Sequence, residues 1–155
     1  MVEVKTKFDT ILEQHTELRD LTAKLREFLE QPRPEIGKPG SHTWASSLAA
    51  TLTQFHDKVF RHFREEEQSG FLDELQEMHP HALHAIETLR QEHDRILADL
   101  RAIMAAALVY SEGKPLTSPR LRRWTLSLLD RVAHHEREET ELFQEVHYND
   151  LGIGD

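Results

Sequence analysis

The sequence predicts an all-α fold, an up-down-up-down antiparallel four-helix bundle, on three observations. Apolar residues recur at three-and-four spacing through four long segments, no stretch alternates apolar and polar residues as a strand would, and prolines and glycines gather where the segments meet. The main breaks are residues 31–42, QPRPEIGKPGSH, and 111–118, SEGKPLTS, with a weaker one from Ser69-Gly70 to His79-Pro80. Short connections between long helices make sequence neighbours antiparallel.

The first helix carries the stripe Phe8, Ile11/Leu12, His15, Leu18, Leu21/Thr22, Leu25, Leu29, and Thr6 with Asp9 reads as a capping box at its start. The second carries Leu48, Leu52, Phe55, Val59, His62, Glu66, with Ser41 or Thr43 as its N-cap. Phe71 to Met78 predicts a short extra turn inside the weak break. The third helix shows Leu83, Ile86, Leu89, His93, Ile96/Leu97, Leu100, Met104. The fourth shows Leu121, Trp124, Leu128, Val132, His135, Glu139, Leu142, Val146, opened by Ser118 as N-cap and Pro119 in the first turn.

A length of 155 residues fits a single domain, 1–155. Lys+Arg 19 against Asp+Glu 28 leaves a charge of -9, and the one basic knot, Arg120, Arg122 and Arg123, makes no phosphate-binding footprint, so no nucleic-acid partner is expected. No apolar run reaches the roughly 18 residues a membrane span needs, and MVEVKTKFDT has no hydrophobic signal region; a cytoplasmic protein without a membrane partner is the expectation. The absence of cysteine excludes disulfides, thiolate zinc sites, iron-sulfur clusters and cysteine nucleophiles.

Six polar residues interrupt the apolar stripes: His15, His62, Glu66, His93, His135 and Glu139. An unpaired buried carboxylate costs several kcal/mol, comparable with a domain's net stability of about 5–15 kcal/mol, so two of them require compensation. The spacing His-x-x-x-Glu occurs at His62, His134 and His135, and by itself decides nothing, because glutamate is abundant here. Height in the bundle decides more. His62 lies 16 residues before Met78 and His93 lies 15 after it; His93 and His135 each lie 21 residues from Lys114. His15 lies 22 before Gly37 and His62 25 after it, a mismatch of about 4–5 Å at 1.5 Å per residue that a long loop absorbs. All four histidines therefore reach one layer, with Glu66 and Glu139 a turn away on the same faces. Imidazoles and carboxylates without thiolate suit iron, manganese or zinc, and two carboxylates between two histidine pairs suit a dinuclear site. Neither the Glu-x-x-His pairing of ferritin-type bundles nor the HExxH of zinc proteases is present.

His15, His62-Phe-Arg-Glu-Glu66, Glu92-His93 and His135-Glu-Arg-Glu-Glu139, in that order and spacing, resemble the hemerythrin-like, or HHE cation-binding, family over residues 8 to 147. The resemblance implies a non-haem di-iron centre in a four-helix bundle. His15 and His62 would hold one iron, His93 and His135 the other, and Glu66 and Glu139 would bridge them with an oxo or hydroxo group. It implies dioxygen or peroxide as the small ligand. The oxygen carriers of the family place a further histidine where Leu89 stands, and use a histidine-aspartate spacing on the last helix that only His134 with Glu139 reproduces. Both differences resemble the non-carrier branch.

Three functions follow: binding or sensing of oxygen species at a di-iron site, peroxide decomposition or oxidase turnover at that site, or a metal-free interaction module whose polar layer is a hydrogen-bond network. Glu65, Glu67 and Glu138 are the alternative inward carboxylates, and His134 the alternative histidine. His42, His56, His79, His81, His84 and His147 are expected at the surface, with His79, His81 and His84 as a weak second metal patch. Phe8, Phe55, Phe63, Trp124 and Phe143 are expected to pack, those nearest the metals keeping the site dry.

Overall fold

A computed structural model describes residues 2–31, 40–111 and 118–150. Its helices are α1 (Val2–Glu30), α2 (Ser41–Gln68), α3 (Phe71–Met78), a 3-10 turn (Pro80–Ala82), α4 (Leu83–Ser111) and α5 (Ser118–Asp150), with no strand among the described residues. The four long helices form a ring in which α1 packs on α2 and α5, and α4 packs on α2 and α5. Neighbours run antiparallel. Along α1 and α5, Thr140 meets His15 while Asp130 meets Arg26, and along α2 and α4, Phe63 meets His93 while His56 meets Arg101.

The expected extra turn is the two-turn helix α3. Gly70, at φ 85°, reverses the chain between α2 and α3, and Glu74 N–H bonds back to its carbonyl at 2.9 Å. A Cβ at that φ would be strained, so a glycine belongs there. Gly40, at φ 89°, is likewise the N-cap of α2. This corrects the expected start signals: Ser41 and Thr43 lie inside α2, no side chain caps it, and Thr6 lies inside α1 because the helix runs back to Val2. The Ser118 cap falls on a side chain outside the described residues, as do the centres of the two main breaks. At the far end of α1, Arg122 from α5 donates Nε to the Leu29 carbonyl at 2.8 Å, satisfying one of the acceptors a helix C-terminus leaves open.

Among the described residues two apolar clusters fill the bundle. The larger one includes Leu25, Leu48, Leu52, Phe55, Leu100, Leu121 and Leu129. The smaller packs Phe8, Ile11, Leu89, Phe143 and Val146 against Phe71, Leu72 and Leu75 of α3, so α3 closes that end of the core. Two stripe positions are corrected. Trp124 is 38% exposed and Leu83 39%, while Thr125 and Ala82 are buried. Thr125 can take the core position because its hydroxyl donates to the Leu121 carbonyl at 2.8 Å. No helix among the described residues is long and apolar enough to cross a membrane.

Candidate metal centre

Between the two apolar clusters lies a polar layer to which every long helix contributes. His15 comes from α1, His62 and Glu66 from α2, His93 from α4, and His135 and Glu139 from α5; none is more than 1% exposed. Their arrangement is nearly two-fold. The His15 and His62 rings, and the His93 and His135 rings, each meet at 4.8 Å between centroids and 70° between planes.

The two carboxylates straddle the histidine pairs. Glu66 Oε1 lies 2.7 Å from His62 Nε2 and its Oε2 3.0 Å from His93 Nε2. Glu139 Oε2 lies 2.8 Å from His15 Nε2 and 3.4 Å from His62 Nε2, while its Oε1 lies 3.1 Å from His93 Nε2 and also contacts His135 Nε2. Two groups result, His15/His62/Glu66/Glu139 and Glu66/His93/His135/Glu139, each with donor atoms within 4.8 Å of one another. Neither Glu66 oxygen nor His135 Nε2 has a hydrogen bond of proper geometry despite these short approaches. Buried polar atoms are almost always satisfied, so convergent donors without aligned hydrogens fit cations seated between them.

Three of the four outward ring nitrogens are held separately, and that of His93 has no hydrogen-bond partner. His62 Nδ1 donates to Gln14 Oε1 at 2.8 Å, His135 Nδ1 to Glu92 Oε2 at 2.5 Å, and His15 Nδ1 lies 3.0 Å from Thr140 Oγ1. His93 Nδ1 lies 3.7 Å from Glu67 Oε2, and its ring stacks on Phe63. A donated Nδ1 hydrogen leaves Nε2 as the ligand atom and fixes the ring plane.

Burial opposes charge on these imidazoles, but Glu66 and Glu139 outweigh it in the metal-free protein. The His62 pKa is pushed up to about 10 and that of His93 to about 11, and those of His15 and His135 also rise. Glu139, although burial alone would raise it, is held well below the ordinary range by the charge of His135 and the contacts of Glu66, His135 and His15. Metal binding at the Nε2 atoms would therefore release protons.

The overlapping motifs on α5 are separated by the helix turn. His134, with 63% of its side chain exposed, pairs with Glu138 at 2.8 Å on the surface, while His135 and Glu139 face inward. Glu65 is exposed, and Glu67 sits behind His93. His79 is a correction: it is buried, because the 3-10 turn folds it under the end of α3. His81 and His84 are exposed and His56 is partly buried; His42 and His147 lie outside the described side chains. Among the described residues the metal-capable groups are the two above, and His79, His81 and His84 form none. The sequence assigns no role to Gln14, Glu92, Thr140 or Glu136. Glu136 is buried one residue from His135, and loss of solvent pushes its carboxyl up to about 7. Adjacency to the ligand candidates, joined for Glu92 and Glu136 by a place inside the quoted motifs, is the only signal the sequence holds for these four.

Fold and site together define a four-helix-bundle protein with a buried histidine-carboxylate centre suited to cations. The hemerythrin HHE cation binding domain matches residues 6–146. The chain belongs to that family. No curated protein and no solved structure matches it.

Proposed function

We propose that the protein is a non-haem di-iron protein that binds or senses dioxygen or its reduced products. The observation that carries this reading is the straddling of Glu66 and Glu139: each offers one oxygen to the His15/His62 side and the other to the His93/His135 side. The donor set fits a pair of cations. His15 and His62 would hold one, His93 and His135 the other, and both carboxylates would bridge while offsetting part of the charge. The same donors admit manganese or zinc, and kinship with hemerythrin favours iron. Bound iron would supply paired one-electron redox chemistry toward an oxygen ligand.

The protein's own residues set what reaches the centre. Phe63 lies face to face with His93 at 3.9 Å and edge-on to His135 at 5.3 Å, so water is excluded from that side. Leu89, one turn before His93, and Leu142, three residues after Glu139, line a cleft of about 320 Å³ between α4 and α5. Glu138, Glu141 and Glu145 line the same cleft, so the two leucines among carboxylates suit a small uncharged ligand such as dioxygen better than an anion. Because Leu89 is not a nitrogen donor, the His93/His135 position has one protein ligand fewer than in the oxygen carriers. That observation favours a second reading, peroxide turnover.

Iron analysis and optical spectra of protein purified without air, then exposed to it, test the proposal. About two irons per chain with new near-ultraviolet absorption on exposure supports it; zinc, or no metal, rejects it. Sustained oxygen release from added peroxide would select the second reading.

A further inference from the structure

The near two-fold symmetry of the inner layer ends one atom further out. Behind His15 and His62 stand a hydroxyl, Thr140 Oγ1 at 3.0 Å, and an amide oxygen, Gln14 Oε1 at 2.8 Å. Behind His135 stands a carboxylate, Glu92 Oε2 at 2.5 Å, and behind His93 a second, Glu67 Oε2 at 3.7 Å. At hydrogen-bond distance one histidine pair has two neutral partners and the other has the carboxylate of Glu92 on His135, while Glu67 faces His93 from beyond that distance.

An imidazole whose outer N–H points at a carboxylate is a more basic ligand than one pointing at a neutral oxygen, because the anion draws that proton and returns electron density to the metal-binding nitrogen. Neutral acceptors fix the ring plane without placing negative charge on the outer nitrogens; the buried Glu136 carboxyl acts on His15 and His62 only through space, with no hydrogen bond to either. Two of the neighbouring cations are engaged elsewhere, and Arg95, which lines the same cleft as Glu92, makes no ion pair with it. Arg90 lies 4.0 Å from Glu67 but only 2.7 Å from Asp73, and Arg131, which shares a cleft with Glu92, is engaged by Asp99.

We infer that the two metal positions are unequal: His93/His135 takes up the first cation and favours its higher oxidation state, with Glu92 as the positioning residue, and His15/His62 fills second. This rests on the dinuclear reading above and adds an order of filling that the six inner residues do not specify. Since Glu92 lines an open cleft with Arg95 and His134, its contact with His135 is reached from solvent without disturbing the inner layer.

Anaerobic calorimetric titration of the metal-free 155-residue chain with ferrous ion tests the order, using wild type, Glu92→Gln and Gln14→Glu, each checked for unchanged helicity. Wild type should show two steps. Glu92→Gln should weaken the tighter step alone by roughly 10–100-fold and raise the reduction potential of the iron bound there. Gln14→Glu, the reverse change, should tighten the weaker step and draw the two together. A purely structural role for Glu92 would move both steps alike and leave the potential unchanged. Equal shifts of both steps, or a shift of the weaker step alone in Glu92→Gln, overturn the inference while two bound ions keep the dinuclear reading. Fewer than two ions on wild type overturn both.

Discussion

The Phe63 ring lies on the His93 ring with centroids 3.9 Å apart and planes only 12° from parallel. One aromatic side chain thus belongs both to the larger apolar cluster and to the wall of the polar layer. Phe63→Ala should destabilise the metal-free protein by about 3–5 kcal/mol, the range for truncating a buried phenylalanine. Urea unfolding gives that figure. In the iron-loaded protein the same change should speed oxidation in air, followed by absorbance, because water gains access to His93.

Glu139 touches all four imidazoles, whereas His134 touches only Glu138. Glu139→Ala should abolish uptake of the metal pair. His134→Ala should leave metal content intact and change stability by less than about 0.5 kcal/mol, as exposed ion pairs contribute little. Metal analysis of the two variants side by side checks which of the overlapping His-x-x-x-Glu pairs serves the centre; metal loss in His134→Ala would contradict the inward assignment.

Leu89 is buried in the smaller cluster one helical turn before His93. Leu89→His should destabilise the metal-free protein by about 1–3 kcal/mol, the penalty for a buried polar group without a partner. Metal should recover that loss by engaging the new nitrogen. Thermal midpoints with and without ferrous ion should therefore differ more in the variant than in wild type. An equal difference would show that position 89 does not face the centre.

Stability of the metal-free protein should depend on pH with a definite sign. Although burial works against their charged forms, the carboxylates raise His62 to about 10 and His93 to about 11 from 6.5. The folded protein then binds more protons than the unfolded chain from about pH 6.5 upward, and stability falls as pH rises through those folded values. Glu139, held below 4.5, gives the opposite slope on the acid side, where its contribution disappears as pH falls. Denaturation midpoints between neutral pH and about pH 10 should decline without metal. Metal affinity should rise over the lower part of that range, because the ligands must lose protons.

The four long helices and the six residues of the inner layer are legible because each of the six interrupts an apolar stripe, and buried charge at such a position needs a reason. Gln14, Glu92 and Thr140 were not legible in that way. Each is next to a stripe residue on a half-buried flank, where a polar side chain is ordinary and only the neighbouring helix reveals its partner. Trp124 was misplaced because size and apolarity point inward, but Thr125 satisfies its hydroxyl within α5 and takes the buried position. His79 was misplaced because burial at a chain reversal depends on how α3 docks, which no periodic pattern encodes. The ends of α1 and α2 differ from their expected caps because Gly40 starts α2 through backbone geometry, and α1 continues past Thr6.

The polar layer sits between two hydrocarbon regions, and this separation constrains how the helices can be assembled. Sliding one helix by a single turn, about 5.4 Å, would move Glu66 or Glu139 out of reach of its imidazoles and into the Leu and Phe side chains above or below. A bundle of uniform apolar seams tolerates such slips; this one has a tooth on every helix that fits a single notch. The same residues that make the centre competent for chemistry also key the chain to one alignment, so a substitution that empties the layer of charge should loosen the choice of structure as well as remove the metal.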